Sequence, residues 1–373
     1  MQAIERNPHP KSLYVHIPYC DHICHYCDFT KMLTNPKQTR IYVDTVLKEI
    51  KGYGFHQYET IFFGGGTPTA LSDEDLDILC QGVKPFAKAN CEWTVECNVE
   101  STTPSKLSIL KNAGVNRLSF GVQTFKQDAL ISLNRHHNQQ DIVKAIQEAK
   151  ALGFKMINVD LIYDLPRVSD EDLQADLQHF LSLDVNHIAT YALTIHPNTV
   201  FGIQKIKPVT DDVSRHHYEM IYQTLTKDGY ERYEVSNFAR HEEKSKHNLT
   251  YWRNQEYIGT GLGASGYYQG TRYTNTKNMT KYLQGIQRDQ EEIIDEKMKR
   301  FEYIMLNFRL KDGFSLTEFF NLFKIEFGEL FTNTLPPLLD KGLILIDKDT
   351  AKLSFEGMLL LDYVVLKLTK DLI

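Results

Sequence analysis

Between residues 13 and 193 short apolar runs alternate with stretches of helical period. Leu13–Ile17, Thr60–Phe63, Trp93–Cys97, Arg117–Val122, Lys155–Ile162 and His187–Leu193 are β-branched and aromatic, bounded by Gly, Pro or Asn, and read as strands. Lys37–Lys51 carries Ile41, Val43, Val46, Leu47 and Ile50 at helical spacing. Ser72–Val83 opens with Ser-Asp-Glu-Asp, a capping-box start, and Asp141–Leu152 ends at Gly153. Pro104–Asn112 and Asp170–Leu183 complete the set, the latter with an acidic first turn. Six strands separated by helices predict a parallel sheet of βα units, either an incomplete barrel or a doubly wound sheet. The C-terminal strand ends, where such folds place their chemistry, carry Cys20, Gly64–Gly66 and Asn98.

After residue 200 the alternation stops. Residues 229–275, rich in Tyr, Gly and Asn, read as irregular strands and loops. From Asp295 a third pattern appears. Met298, Phe301, Met305 and Phe308 stripe one helix, and Ser315–Phe327 and Leu335–Lys341 follow. Leu343–Ile346 and Lys352–Phe355 flank a turn, and Glu356–Leu368 closes with a helix. Helices followed by a hairpin predict a winged-helix-like module. The resulting division is residues 1–215, 216–290 and 291–373.

Composition narrows the class. Hydrophobic residues make up 42% and charged residues 24%, which permits an ordinary core and excludes a disordered chain. The net charge of −6 argues against a nucleic-acid footprint. No apolar run approaches the roughly 18 residues of a membrane span, and MQAIERNPHPK lacks the apolar core of a signal peptide. A cytoplasmic protein is the expectation.

Three of the six cysteines fall within eight residues: Cys20, Cys24 and Cys27. In a reducing compartment such spacing signals a metal centre. Three thiolates can hold an iron–sulfur cubane with one iron left open. Zinc on the same cysteines with His22 or His25 is the other chemistry open to this loop. Cys80, Cys91 and Cys97 are scattered and read as small core residues. Gly64-Gly65-Gly66-Thr67-Pro68 permits close backbone approach to a ligand. Gly261-Leu-Gly263-Ala-Ser-Gly266 spells G-x-G-x-x-G but lacks a surrounding βαβ unit, and reads as a tight loop near the barrel mouth. His247, between Lys246 and Asn248, is either a haem ligand or a hydrogen-bonded loop histidine.

The C-x3-C-x2-C spacing with Tyr26 before the last cysteine resembles the radical S-adenosylmethionine (SAM) superfamily. That resemblance implies a [4Fe–4S] cluster on Cys20, Cys24 and Cys27, with SAM chelated at the open iron and cleaved to a 5′-deoxyadenosyl radical. Tyr14-Val-His16-Ile-Pro18-Tyr-Cys20, Asn116-Arg-Leu-Ser-Phe-Gly121-Val-Gln123, Asp160-Leu-Ile-Tyr-Asp-Leu-Pro166 and His247-Asn-Leu-Thr-Tyr-Trp252 look like the oxygen-independent coproporphyrinogen oxidase family. The family implies an α/β fold, a partial (β/α)6 TIM-like barrel. It implies cofactor contacts at Tyr14, Tyr26, Gly65, Gly66, Thr67, Glu96, Gln123, Arg135 and Asp160. Phe29 stands where the oxidase has a fourth cysteine, and the Tyr-Cys-Asp-Phe form resembles the haem-chaperone branch. That branch implies haem, contacted by His247, a haem-acceptor protein, and an electron donor such as flavodoxin or ferredoxin. Decarboxylation of coproporphyrinogen and a zinc-stabilised binding module are the alternatives. Val99, Asn134, Asp164 and Ser265 depart from the family pattern.

Overall fold

The computed structural model describes residues 9–370 and Leu372. Six strands run in parallel and in chain order: β1 (Ser12–Ile17), β2 (Tyr58–Gly65), β3 (Ala87–Asn98), β4 (Arg117–Gln123), β5 (Met156–Tyr163) and β6 (His187–Ala192). All six expected strands are present, several of them longer than the apolar run that signals them. Residues of the middle segment extend this sheet at both ends. β7 (Glu231–Arg232) and β8 (Asn237–Ala239) add antiparallel beyond β6, and β9 (Ile258–Thr260) adds parallel beside β1, giving nine strands.

Register explains where polarity goes. Leu13, Val15, Ile61, Phe63, Val95, Leu118, Phe120 and Val159 are fully buried and belong to the main core. The alternate positions, Tyr14, Phe62, Thr94, Glu96, Arg117, Ser119, Asn158, Asp160 and His187, turn to the barrel interior and line its cavities. A one-residue slip would exchange the two sets, so burial of the apolar row fixes the polar row at the site. Helix ends are set locally. Ser72 Oγ accepts from Asp75 N–H at 3.1 Å, and Asn138 with Asp141 and Ser169 with Asp172 form reciprocal capping boxes.

The helix Asp211–Lys227 crosses residue 215, where the sequence suggested a boundary. Residues 265–293 form a three-stranded antiparallel sheet. The C-terminal segment has its own core around Tyr303, Phe308, Phe314, Phe319, Leu338 and Val364. Its small sheet joins Phe314–Ser315, Thr350–Leu353 and Ile344–Asp347. The helix expected over 315–327 divides into Leu316–Phe323 and Phe327–Leu330, because Lys324 turns left-handed at φ 55°.

Candidate functional site

The loop after β1 carries the three cysteines, and backbone bonds close its base. Met32 N–H donates to the Pro18 carbonyl (2.7 Å) and Thr34 N–H to the Cys20 carbonyl (3.0 Å). The glycine run at the end of β2 docks on the loop's first limb, with Gly66 N–H on Ile17 O and Thr67 N–H on Tyr19 O, both at 2.8 Å. A Cβ on Gly66 would stand 2.8 Å from those same backbone atoms. Gly66 therefore serves close packing of two loops, and it also lines the cleft where the sequence suggested room for a ligand.

One cleft of about 390 Å3 opens at these strand ends. Cys20, Cys24, Cys27, Tyr26, Gly65, Gly66, Thr67, Glu96, Gln123, Arg135 and Asp160 all line it. None of the three thiols is in a disulfide. His25 turns its Nδ1 to the Ser132 carbonyl at 2.8 Å, and His22 stacks on His136 at 3.9 Å. Among the described residues no three His, Cys, Asp or Glu side chains converge on a single-ion point. Three thiols round a cleft without a converging histidine fit a cluster that takes one thiolate per iron better than they fit tetrahedral zinc. Burial pushes the Cys20 thiol up to about 12, so a bound cation's charge is what would hold it as thiolate.

Arg135 is the electrostatic centre. Its guanidinium donates to Asn98 Oδ1 (2.8 Å), the Gly121 carbonyl (2.6 Å) and Glu100 Oε2 (3.3 Å), and it faces Cys24 Sγ at 3.7 Å. Although burial raises Glu100, its bond to His137 and the Arg135 charge hold the carboxyl down at about 2. On the opposite wall Glu96 accepts from Gly65 N–H at 3.0 Å. Burial, with Asp160 nearby, pushes Glu96 up to about 8, and burial pushes Asp160 up to about 6. A cationic ligand entering between them would draw both carboxyls toward ionisation. Asn98 also donates to Thr67 Oγ1 at 3.0 Å. The sequence placed Asn98 at a strand end without assigning it a contact; its role needs three strand ends brought together.

Two expected residues lie off this cleft. Tyr14 donates to His16 Nδ1 at 3.0 Å and lines neighbouring cavities. His247 is fully buried, stacks on Phe62, and has Nδ1 on Thr60 Oγ1 (2.8 Å) and Nε2 on Tyr251 Oη (2.7 Å). To ligate haem iron its ring would have to leave one of those partners. Phe29, by contrast, is 66% exposed on the cleft rim.

Residues 14–180 match the Radical SAM superfamily. The heme chaperone HemW of Bacillus subtilis (strain 168) is 38% identical over 370 residues, covering 94% of this chain and 97% of the relative. HemW of Lactococcus lactis subsp. lactis (strain IL1403) is 35% identical, covering 93% and 94%. HemW of Escherichia coli (strain K12) is 35% identical, covering 90% of each. The solved structure of coproporphyrinogen III oxidase (HemN) from Escherichia coli, a radical SAM enzyme, superposes with a TM-score of 0.87 over 98% of this chain and 92% of its own, at 22% identity. That likeness establishes the partial-barrel fold.

Proposed function

We infer from one premise, that this chain belongs to the radical SAM superfamily and within it to the family of the HemW haem chaperones, that it is a cluster- and SAM-binding protein that carries haem. The near full-length likeness to HemW proteins carries the reading. The single cleft that gathers the cysteines, the glycine run, Arg135 and the two carboxyls supports its cofactor half. Cys20, Cys24 and Cys27 would hold a [4Fe–4S] cluster. Bound SAM and the cluster, reduced by a one-electron donor such as flavodoxin or ferredoxin, would supply reductive cleavage of the sulfonium. Glu96 and Asp160 orient polar groups of the ligand, and Arg135 offsets the negative charge of the thiolates.

Phe29 favours the carrier over the oxidase. An exposed aromatic at the cleft rim gives an apolar porphyrin something to lie against, and supplies no fourth thiol. On this reading haem lies against the rim rather than on His247. Anaerobically reconstituted protein is expected to contain iron and sulfide in cubane stoichiometry, to bind haem with a Soret band, and to leave coproporphyrinogen unconsumed with SAM and reductant. Turnover of coproporphyrinogen would restore the oxidase. His247→Ala should keep the Soret band and lose about 1–3 kcal/mol of stability, chiefly for Tyr251 left without its bond, since the Thr60 hydroxyl still donates to Ser12 Oγ at 2.8 Å. Disappearance of the Soret band in a folded His247→Ala protein would return the axial ligand to His247.

A further inference from the structure

The G-x-G-x-x-G loop in the middle segment does not line the cofactor cleft, yet none of its three glycines has room for a side chain: Gly266 packs on the Tyr273 ring, and the other two pack toward the cysteine loop. Gly261, at φ 97°, packs on the carbonyl of His16; a Cβ there would stand 2.5 Å from that oxygen and 2.8 Å from Tyr42 Oη. Gly263, at φ 71°, packs on Thr30, and a Cβ would overlap the Thr30 hydroxyl and lie 2.9 Å from its Cβ.

The glycine loop is held from behind. Gly261 N–H donates to Glu49 Oε2, Leu262 N–H to Tyr42 Oη, Gly263 N–H to the Thr276 carbonyl, and Asn275 Nδ2 donates to the Gly261 carbonyl, each at 2.9 Å. Tyr42 Oη in turn donates to the His16 carbonyl at 2.7 Å. Thr30 is held from its other side, since its carbonyl accepts from His16 Nε2 at 2.7 Å. The His16 ring fills the space where a Cβ of Gly65 would go. Thr30 lies three residues after Cys27, on the limb by which the cysteine loop returns.

We propose that the Gly261–Gly263 loop is a positioning element for the metal centre: it presses Thr30 against His16 and so sets the return limb of the cysteine loop relative to the Gly64–Gly66 run. Cys20 is anchored by the strand before it, whereas Cys27 is held from two sides, by its N–H on the Cys24 carbonyl (3.3 Å) and by the limb that follows. A side chain at residue 263 drives Thr30 outward and carries Cys27 away from the other two thiols, because a close-packed contact has no slack to absorb a methyl group. The inference rests on the reading that these cysteines hold a cluster.

Gly270 supplies the control, for it has the same φ of 71° and nothing within 4 Å of its hypothetical Cβ. The full chain is reconstituted anaerobically with iron and sulfide as wild type, Gly263→Ala, Gly270→Ala and Gly263→Ala/Thr30→Gly. Iron and sulfide per chain are measured, with the change in the reduced cluster's electron paramagnetic resonance spectrum on adding SAM. Gly270→Ala reports backbone strain alone and is expected to match wild type. Gly263→Ala is expected to retain less than about half the wild-type iron, with the SAM-dependent spectral change weakened in what remains. Thr30→Gly in the double variant removes the obstructed side chain and should restore most of both. The proposal is overturned if Gly263→Ala loads and responds as wild type, or if Gly270→Ala falls as far. It is equally overturned if the double variant is no better than the single, whether the single fails by misfolding or by poor loading. A wild type that takes up no cluster fails at the first measurement and removes the metal-centre reading, and this inference with it.

Discussion

Glu96 and Asp160 share the cleft wall, and their protonation ties the site to stability. In the unfolded chain both carboxyls titrate near about 4. In the folded protein they rise to about 8 and about 6. Between those limits the folded state binds more protons than the unfolded one, so stability is greatest at the acid side of the window and is lost as pH rises through 6 and then 8. Both groups face an open cleft, which discounts the effect to about 1–2 kcal/mol. Cofactor-free protein should therefore melt progressively lower between about pH 5 and pH 8.5. Glu96→Gln, a neutral isostere, should flatten the upper half of that slope; a thermal scan with the same slope in the variant would show that Glu96 does not titrate there. Residues at this scale were legible where the chemistry is contiguous, as in Cys20, Cys24, Cys27 and the glycine run. The Asn98–Thr67–Arg135 network was not, because its members are 31 and 37 residues from Asn98 and meet only through strand register.

Two departures from the family pattern are answered by elements rather than by the site. Asn134 and Asp164 occupy left-handed backbone, at φ 59° and 62°, where glycine would be unstrained. Asn and Asp are the L-residues that accept this conformation at least cost. Asn134 Nδ2 then donates to the Ile23 carbonyl at 2.9 Å, tying the loop after Gln127–Ser132 to the cysteine loop. Asp164, at the end of β5, accepts from Ser214 Oγ and faces His217 Nδ1, both at 2.6 Å, on the helix Asp211–Lys227; His217 Nε2 meets Asp170 at 3.1 Å. Asp164→Gly thus opposes two terms. Relief of the backbone returns about 1 kcal/mol, and loss of the charge-assisted bonds, with buried His217 and half-buried Ser214 left over, costs about 1.5–3 kcal/mol. The bond wins, so the variant should be destabilised by about 0.5–2 kcal/mol in urea unfolding, and a stabilised Asp164→Gly would mean the latch contributes nothing. The βα alternation was readable because each element has a clean period. The strands β7, β8 and β9 were not, since two or three residues carry no period and their pairing is set by edges the main sheet leaves open.

Across the whole molecule, the C-terminal core meets the middle segment and, among the described residues, supplies none to the cofactor cleft. The join is partly apolar, with Phe355 against Tyr222 (4.9 Å) and Val235 against the C-terminal core, and polar contacts make it specific. Arg272, in the strand Thr271–Asn275, makes a two-point bond to Glu302 in the helix Glu296–Asn307, with Nη2 on Oε2 at 2.8 Å, while its Nη2 also donates to Asn254 Oδ1 at 2.9 Å. Lys311 adds a backbone bond to the Tyr233 carbonyl at 3.0 Å and an ion pair to Glu231 at 2.6 Å, and Arg309 lies over the Trp252 ring. Glu302 is buried, so Glu302→Ala leaves a largely desolvated guanidinium without its carboxylate, at a cost of about 1–3 kcal/mol after allowance for the partial exposure of Arg272. That loss falls on the join. The expected result is faster tryptic cleavage at the exposed Lys297, at the start of this helix, with iron and sulfide per chain unchanged after reconstitution. Arg272→Ala should give the same cleavage pattern, and the double variant should add little to either single one, because the two side chains act as one contact. Iron falling in step with cleavage would instead show that the C-terminal core braces the cluster loop through the three-stranded sheet, which begins at Ser265, two residues beyond Gly263.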